Sequence, residues 1–165
     1  HPAWFAPPEW LGSENKTYPL HLLSNQPRTK LHSQLDQGRI SAQAKINGRE
    51  EAIMNPKDAR TRGIKQGEVI RLFNARGAIL VGVRITDQIR QGVVMVSTGA
   101  GLDPDLNDPS LCKHGNPNML TPDEPTSKLA QGPAAHSCLI EAEAVNQAHL
   151  PIVTAHVPPL VNEAL

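Results

Sequence analysis

The residues best equipped for chemistry lie in one run, Ser24-Asn25-Gln26-Pro27-Arg28-Thr29-Lys30-Leu31-His32-Ser33-Gln34-Leu35. It offers amides, hydroxyls, a guanidinium, an ammonium and an imidazole. Such donors suit phosphate oxygens and the polar edge of a heterocycle. No carboxylate opposes an anion before Asp36. A solvated polar loop is the competing reading, because loops are polar in general. A second amide cluster, Asn116-Pro117-Asn118, is followed by Thr121, Ser127 and Gln131. Its competing reading is turn chemistry, which also favours Asn and Pro.

Other chemistries find less support. No Walker pattern occurs, and no G-x-G-x-x-G follows a strand. Gly99-Ala100-Gly101 follows a strand-like run but lacks the third glycine. His32-Ser33 are adjacent, and neighbours on a strand point to opposite faces, so no nucleophile–base pair is expected. No catalytic residue is assigned. Cys112, His114, His136 and Cys138 form a mirror-image set of possible zinc ligands. Their single intervening residues are off the usual two to four, so no metal site is expected. Sixteen basic and sixteen acidic residues give zero formal charge. That argues against nucleic acid or an anionic membrane surface as a partner. No apolar run approaches a membrane span.

The elements that would position these groups are mostly strands. The reading places strands at 18–23, 68–73, 78–86, 93–97 and 138–142, with Asn74-Ala75-Arg76-Gly77 as a turn. A helix is bracketed by Asn55 as cap, Pro56 at its first position and Gly63 as stop. Residues 38–51 have no clear assignment, and 126–131 reads as a short helical turn. Ile64-Lys65-Gln66-Gly67-Glu68-Val69 recurs as Ile89-Arg90-Gln91-Gly92-Val93-Val94. Two such turn-into-strand units suggest a closed barrel with internal pseudo-symmetry. Residues 1–17 form an arm carrying Trp4, Phe5 and Trp10; it reads either as a floppy segment or, since exposed aromatics usually mark contacts, as one that meets a partner surface. Residues 18–146 form one domain, and 147–165 a flexible tail.

Several motifs resemble the C-terminal domain of the DMSO-reductase family of molybdoenzymes. They are Pro19-Leu20-His21-Leu22-Leu23-Ser24 through Leu31-His32-Ser33-Gln34-Leu35; Met54-Asn55-Pro56-x-Asp58-Ala59; Gly63-Ile64-x-x-Gly67; and Asn74-x-x-Gly77. Gly115-Asn116-Pro117-Asn118-x-Leu120-Thr121 and Thr126-Ser127-x-Leu129-Ala130-Gln131-Gly132 complete the set, in the family's order. The resemblance covers most of residues 18–143. It implies a mainly β fold, a six-stranded double-psi β-barrel with a few short helices. It also implies a bis(molybdopterin guanine dinucleotide) molybdenum cofactor shared with domains not present here.

On that reading Ser24, Asn25, Gln26, Arg28, His32, Ser33 and Gln34 contact the cofactor, joined by Asn118 and Gln131 at matching positions. The family's molybdenum-ligating side chain lies in an earlier domain, so this chain alone is expected to be inactive. The partners implied are the remaining domains and a small S-oxide or N-oxide substrate. The resemblance leans towards the cytoplasm, with the periplasm as the other compartment. Relatives commonly carry an aromatic where Gly101 stands. A competing class is a free-standing barrel that recognises a partner or substrate without redox chemistry, since fold does not fix function.

Overall fold

The structure is a computed structural model and describes residues 1–155. Its elements run β1 (Leu20–Leu23), α1 (Arg39–Ala44), β2 (Glu51–Met54), α2 (Pro56–Thr61), β3 (Val69–Asn74), β4 (Gly77–Ile85), β5 (Val93–Val96), β6 (Leu111–Cys112) and β7 (Leu139–Ala144). Single 3-10 turns lie at Pro117–Met119 and Gln147–His149. The strands hydrogen-bond in the order β2-β5-β1-β7-β3-β4-β6, and a further β2–β4 pairing closes six of them into a barrel. β6 is a short flap outside the ring, paired parallel to β4.

The ring has an internal symmetry. β1 pairs parallel with β5, and β4 pairs parallel with β2. β1 and β4 each have an antiparallel neighbour, β7 and β3. Exchanging β1 with β4, β2 with β5 and β3 with β7 returns the same pairings, compatible with a double-psi arrangement. The sequence repeat is not the source of this symmetry. Its copies precede β3 and β5, which do not exchange. They share a local device instead. Gly67 and Gly92 sit at φ 78° and 81°, turning the chain into the following strand.

The barrel interior explains the strand assignments. Leu20, Leu22, Met54, Ile70, Leu72, Ile79, Val81, Val83, Val94, Val96 and Ile140 are essentially inaccessible to solvent. Each such side chain contributes about 1.5–3 kcal/mol of burial. β4 is buried continuously from Ala78 to Val83. At Gly82 a Cβ would lie 2.6 Å from Ile46 Cγ2, so the chain before β2 closes over the strand only because Gly82 lacks a side chain. The punctuation of α2 forms as read. Asn55 Oδ1 accepts from Lys57 N at 2.9 Å, and Pro56 begins the helix.

One stretch without a sequence assignment takes shape, and one differs from expectation. Residues 38–51 contain α1 and the approach to β2. α1 begins at Gly38 without a side-chain cap or an acidic residue in its first turn, so its start carries no signal. Residues 126–131 are not helical. They form the tip of a loop pinched by a Pro125–Pro133 bridge and by Thr126 N donating to Gly132 O at 2.7 Å. Prolines at both ends and Gly132 favour that pinch over a helical turn.

The termini are tied to the barrel at specific points. Glu9 accepts from Arg76 Nη1 and Nη2 at 2.6 and 3.0 Å and from Leu139 N at 2.7 Å. Trp4 and Trp10 stack edge to face at 5.3 Å. Trp4 and Phe5 remain 70% and 84% exposed, while Trp10 is half-buried. At the other end, Asp103 accepts from Thr154 N and Oγ1 at 2.7 and 2.6 Å, and Arg49 Nη2 donates to Pro151 O at 2.6 Å. The tail is therefore strapped down through Ala155. The rest of it, residues 156–165, lies outside the described residues.

Candidate functional site

β1 and β5 run side by side and parallel, so the loops after them leave the barrel at the same end. Asn25 stitches these loops at their base. Its carbonyl accepts from Thr98 N at 2.9 Å, and its Oδ1 accepts from Ser97 Oγ at 3.1 Å. Beyond this seam the loops part around a cleft of about 650 Å³. One wall carries Ser24, Gln26, His32 and Ser33; the facing wall is residues 98–102, and Asn116 and Asn118 border a third side.

His32 and Ser33 occupy the tip of a tight turn. Leu31 N donates to Gln34 O at 3.2 Å and Gln34 N to Leu31 O at 2.8 Å. His32 and Leu35 sit at φ 51° and 65°, a conformation that costs a side-chain-bearing residue energy and persists only where surroundings enforce it. Part of that enforcement comes from Gly99, at φ 89°. A Cβ there would collide with the His32 carbonyl, so only glycine lets the facing wall approach the turn.

The rest comes from buried charge. Lys30 Nζ contacts Asp36 Oδ1 at 2.7 Å and Glu50 Oε2 at 2.6 Å; Lys45 Nζ contacts the same two atoms at 2.7 and 3.2 Å. All four side chains are at least nine-tenths buried. Burial alone would raise the Asp36 carboxyl, but the two ammonium groups and the Gly101 amide hold it far below its ordinary range. The same carboxylates override burial at Lys30 and raise it. Lys30, a loop donor on the sequence reading, therefore points inward and is internally neutralised.

The third side is held from behind. Asn116 Oδ1 accepts from Asn118 N at 3.0 Å, shaping the 3-10 turn. The Leu120 carbonyl just after it accepts from Asn74 Nδ2, Arg76 Nε and Cys138 Sγ at 2.9, 2.6 and 3.2 Å. Burial pushes the Cys138 thiol up to about 11, against the pull of Arg76. Both cysteines are buried free thiols. Among the described residues no group of three or more His, Cys, Asp or Glu side chains is arranged to hold a metal.

The nine candidates fall into three groups. Ser24, Gln26, His32, Ser33 and Asn118 share the cleft. Asn25 and Arg28 border a second cleft, of about 560 Å³, with Ser97, Arg84 and Gln88. Alternation along an extended chain accounts for the split, since residues 24 and 26 turn to one side and 25 to the other. Gln34 and Gln131 line neither cleft, and Gln131 is exposed on the loop beyond residue 121. Sequence reasoning missed the 98–102 wall. Its signals in the sequence are the glycines after β5, which lack the third glycine of a dinucleotide fingerprint, and Gly101, which stands where relatives commonly carry an aromatic.

Residues 20–139 match the model of the molydopterin dinucleotide binding domain. The chain belongs to that family. Its barrel, with loops gathered around a donor-lined cleft, is thus a cofactor-binding module. It is 46% identical over 145 residues to the biotin sulfoxide reductase of Cereibacter sphaeroides, covering 87% of this chain and 19% of that protein. It is likewise 46% identical to trimethylamine-N-oxide reductase 1 of Escherichia coli O157:H7, over 88% of this chain and 18% of the relative. The chain thus spans about a fifth of the length of these relatives. Among solved structures, acetylene hydratase from Pelobacter acetylenicus superposes with a TM-score of 0.69 at 18% identity, over 87% of this chain and 21% of that one. At that identity the likeness concerns the fold alone.

Proposed function

We propose that this domain grips a bis(molybdopterin guanine dinucleotide) cofactor within a larger reductase of S-oxides or N-oxides. The observation that carries the reading is the cleft between the His32-Ser33 turn and residues 98–102. Donors line it on two sides, and the glycine approach at Gly99 holds its walls at a set distance. The donor chemistry fits the group. Hydroxyl and imidazole groups at Ser24, Ser33 and His32 suit pyrophosphate oxygens, while the amides of Gln26, Asn116 and Asn118 suit a pterin or guanine edge. Arg28, in the second cleft across the loop, is an exposed guanidinium able to meet a second anionic arm with a charged fork. Two clefts flanking one loop support a cofactor with two dinucleotides.

The cofactor, when bound, supplies the two-electron chemistry and the oxygen acceptor. The residues of this chain bind it, orient it and exclude water from one side. None is assigned to a proton transfer. The two relatives named above, reductases of a sulfoxide and an N-oxide, support the substrate class.

The test is made in the full-length protein. His32→Ala, Ser33→Ala and Asn118→Ala are each assayed for molybdenum, guanine nucleotide and thermal unfolding. A hydrogen bond to a charged group is worth about 1.5–3 kcal/mol, so losing His32 or Ser33 should weaken retention roughly ten- to a hundredfold; one to a neutral edge is worth about 0.5–1.5 kcal/mol, so losing Asn118 should weaken it roughly two- to tenfold. The expected result is depleted cofactor in protein that stays folded. Wild-type content in all three variants would overturn the assignment.

A further inference from the structure

We infer that Asp36 is the positioning residue of the cofactor cleft, its two carboxylate oxygens setting the separation of the two walls. This rests on the cofactor-binding reading above and adds how the site is kept in shape. Oδ1 faces into the buried cluster, where it meets Lys30 and Lys45 at 2.7 Å each and Ser41 Oγ at 3.4 Å. Oδ2 faces the other wall and accepts from Gly101 N at 3.2 Å. The carbonyl of that same residue meets His114 Nδ1 at 3.0 Å, so the Gly101 backbone is gripped from both sides.

Asp36 reaches from the buried cluster at the foot of one wall to the backbone of the other. The His32-Ser33 turn is a short excursion whose base is closed by Lys30 and Asp36, and the left-handed residues His32 and Leu35 lie inside it. The facing wall is anchored to the barrel by β5 on one side and grips Asp36 through Gly101 on the other. Gly99 sets how closely the walls can approach. Asp36 sets how far apart they can move. A side chain in that role touches no ligand itself. Its loss is read in how long the ligand stays rather than in which groups contact it.

The experiment separates this role from plain stabilisation by removing charge in balanced pairs. In the full-length protein, Asp36→Ala with Lys45→Met removes the acceptor for Gly101 N and leaves the Lys30–Glu50 pair. Lys30→Met with Glu50→Gln removes the other pair and leaves the link. Gly101→Pro deletes the same hydrogen bond from the opposite wall with all four charges in place, and serves if the first pair fails to fold. Three quantities are measured: amide exchange at Gly101, the rate of guanine nucleotide release from purified holoprotein, and the unfolding temperature without cofactor. The expected result is at least tenfold faster exchange at Gly101 in the Asp36 pair, and at least tenfold faster release both in that pair and in Gly101→Pro, where position 101 has no amide proton and release alone is read. The Lys30–Glu50 variant should be less stable yet release at the wild-type rate. Equal release from both double variants, or wild-type exchange at Gly101 in the Asp36 pair, overturns the inference. Absence of molybdenum and guanine nucleotide from the wild-type protein would instead overturn the reading beneath it, and the exchange measurement would still decide whether Asp36 holds the walls.

Discussion

Residues 24–36 and 121–137 look alike as sequence. Both are polar, both contain prolines, and both hold amides and hydroxyls able to read a ligand. In the folded chain they are opposites. The first is stapled to the barrel by the Asn25 seam, the Lys30–Asp36–Lys45–Glu50 cluster and the glycine approach at Gly99. The second is held mainly to itself, through Thr126 N to Gly132 O and Ala134 N to Glu124 O, and Leu129 at its tip is 99% exposed. A polar composition thus says little about order. What decides it is whether the loop sends a charged side chain into the interior and finds its counter-charges there.

The sharpest way to break that contrast is Lys30→Ala. It leaves Glu50 and Asp36 buried with one lysine between them, and losing one partner of a buried ion cluster costs about 3–5 kcal/mol. Urea unfolding should show that loss, and a change under about 1 kcal/mol would show that the cluster does not staple the loop. A smaller effect is expected from acid. The folded-state value of Asp36 lies below the ordinary 3.8, so its support is fully present above that pH and is lost only as pH falls through the depressed value. Amide protection at Gln34 should therefore persist from neutrality to about pH 4 and fail in stronger acid. Loss of protection already near pH 5 would place the turn's support elsewhere. The smallest effect belongs to the other loop. Gln131→Ala should change stability within about ±0.5 kcal/mol and leave cofactor content unchanged. Depleted cofactor in that variant would show that the 121–137 loop closes over the ligand in the full-length protein.

Local chemistry made much of the fold readable. Asn55 and Pro56 announce α2, Asn74 to Gly77 announce the β3–β4 turn, and the valine-rich runs announce β4 and β5. α1 was silent because Gly38 offers no cap, and its place is set by Ser41 and Lys45 reaching the buried cluster. The site was readable on one wall only. Its donors are consecutive in sequence, whereas the facing wall is backbone and glycine, recognisable only once His32 is known to lie against Gly99. The inward turn of Lys30 is hidden in the sequence for a related reason. A lysine among donors reads as solvent-facing until its counter-charges at Asp36 and Glu50 come into view.

The closing of the ring also has a consequence for how the protein is made. Among the described residues β1 pairs with β5 and β7, the latter through Leu20 and Ile140. At a synthesis rate of ~5–20 residues per second, Leu20 emerges on the order of ten seconds before Ile140 exists. For that interval a leucine-rich segment with unmet backbone groups waits beside a growing chain. The donor loop that follows β1 cannot take its final shape earlier either, because Glu50 and Gly101 must both arrive first. The cleft therefore assembles only after Glu50 and Gly101 have been made, well after the donor loop itself.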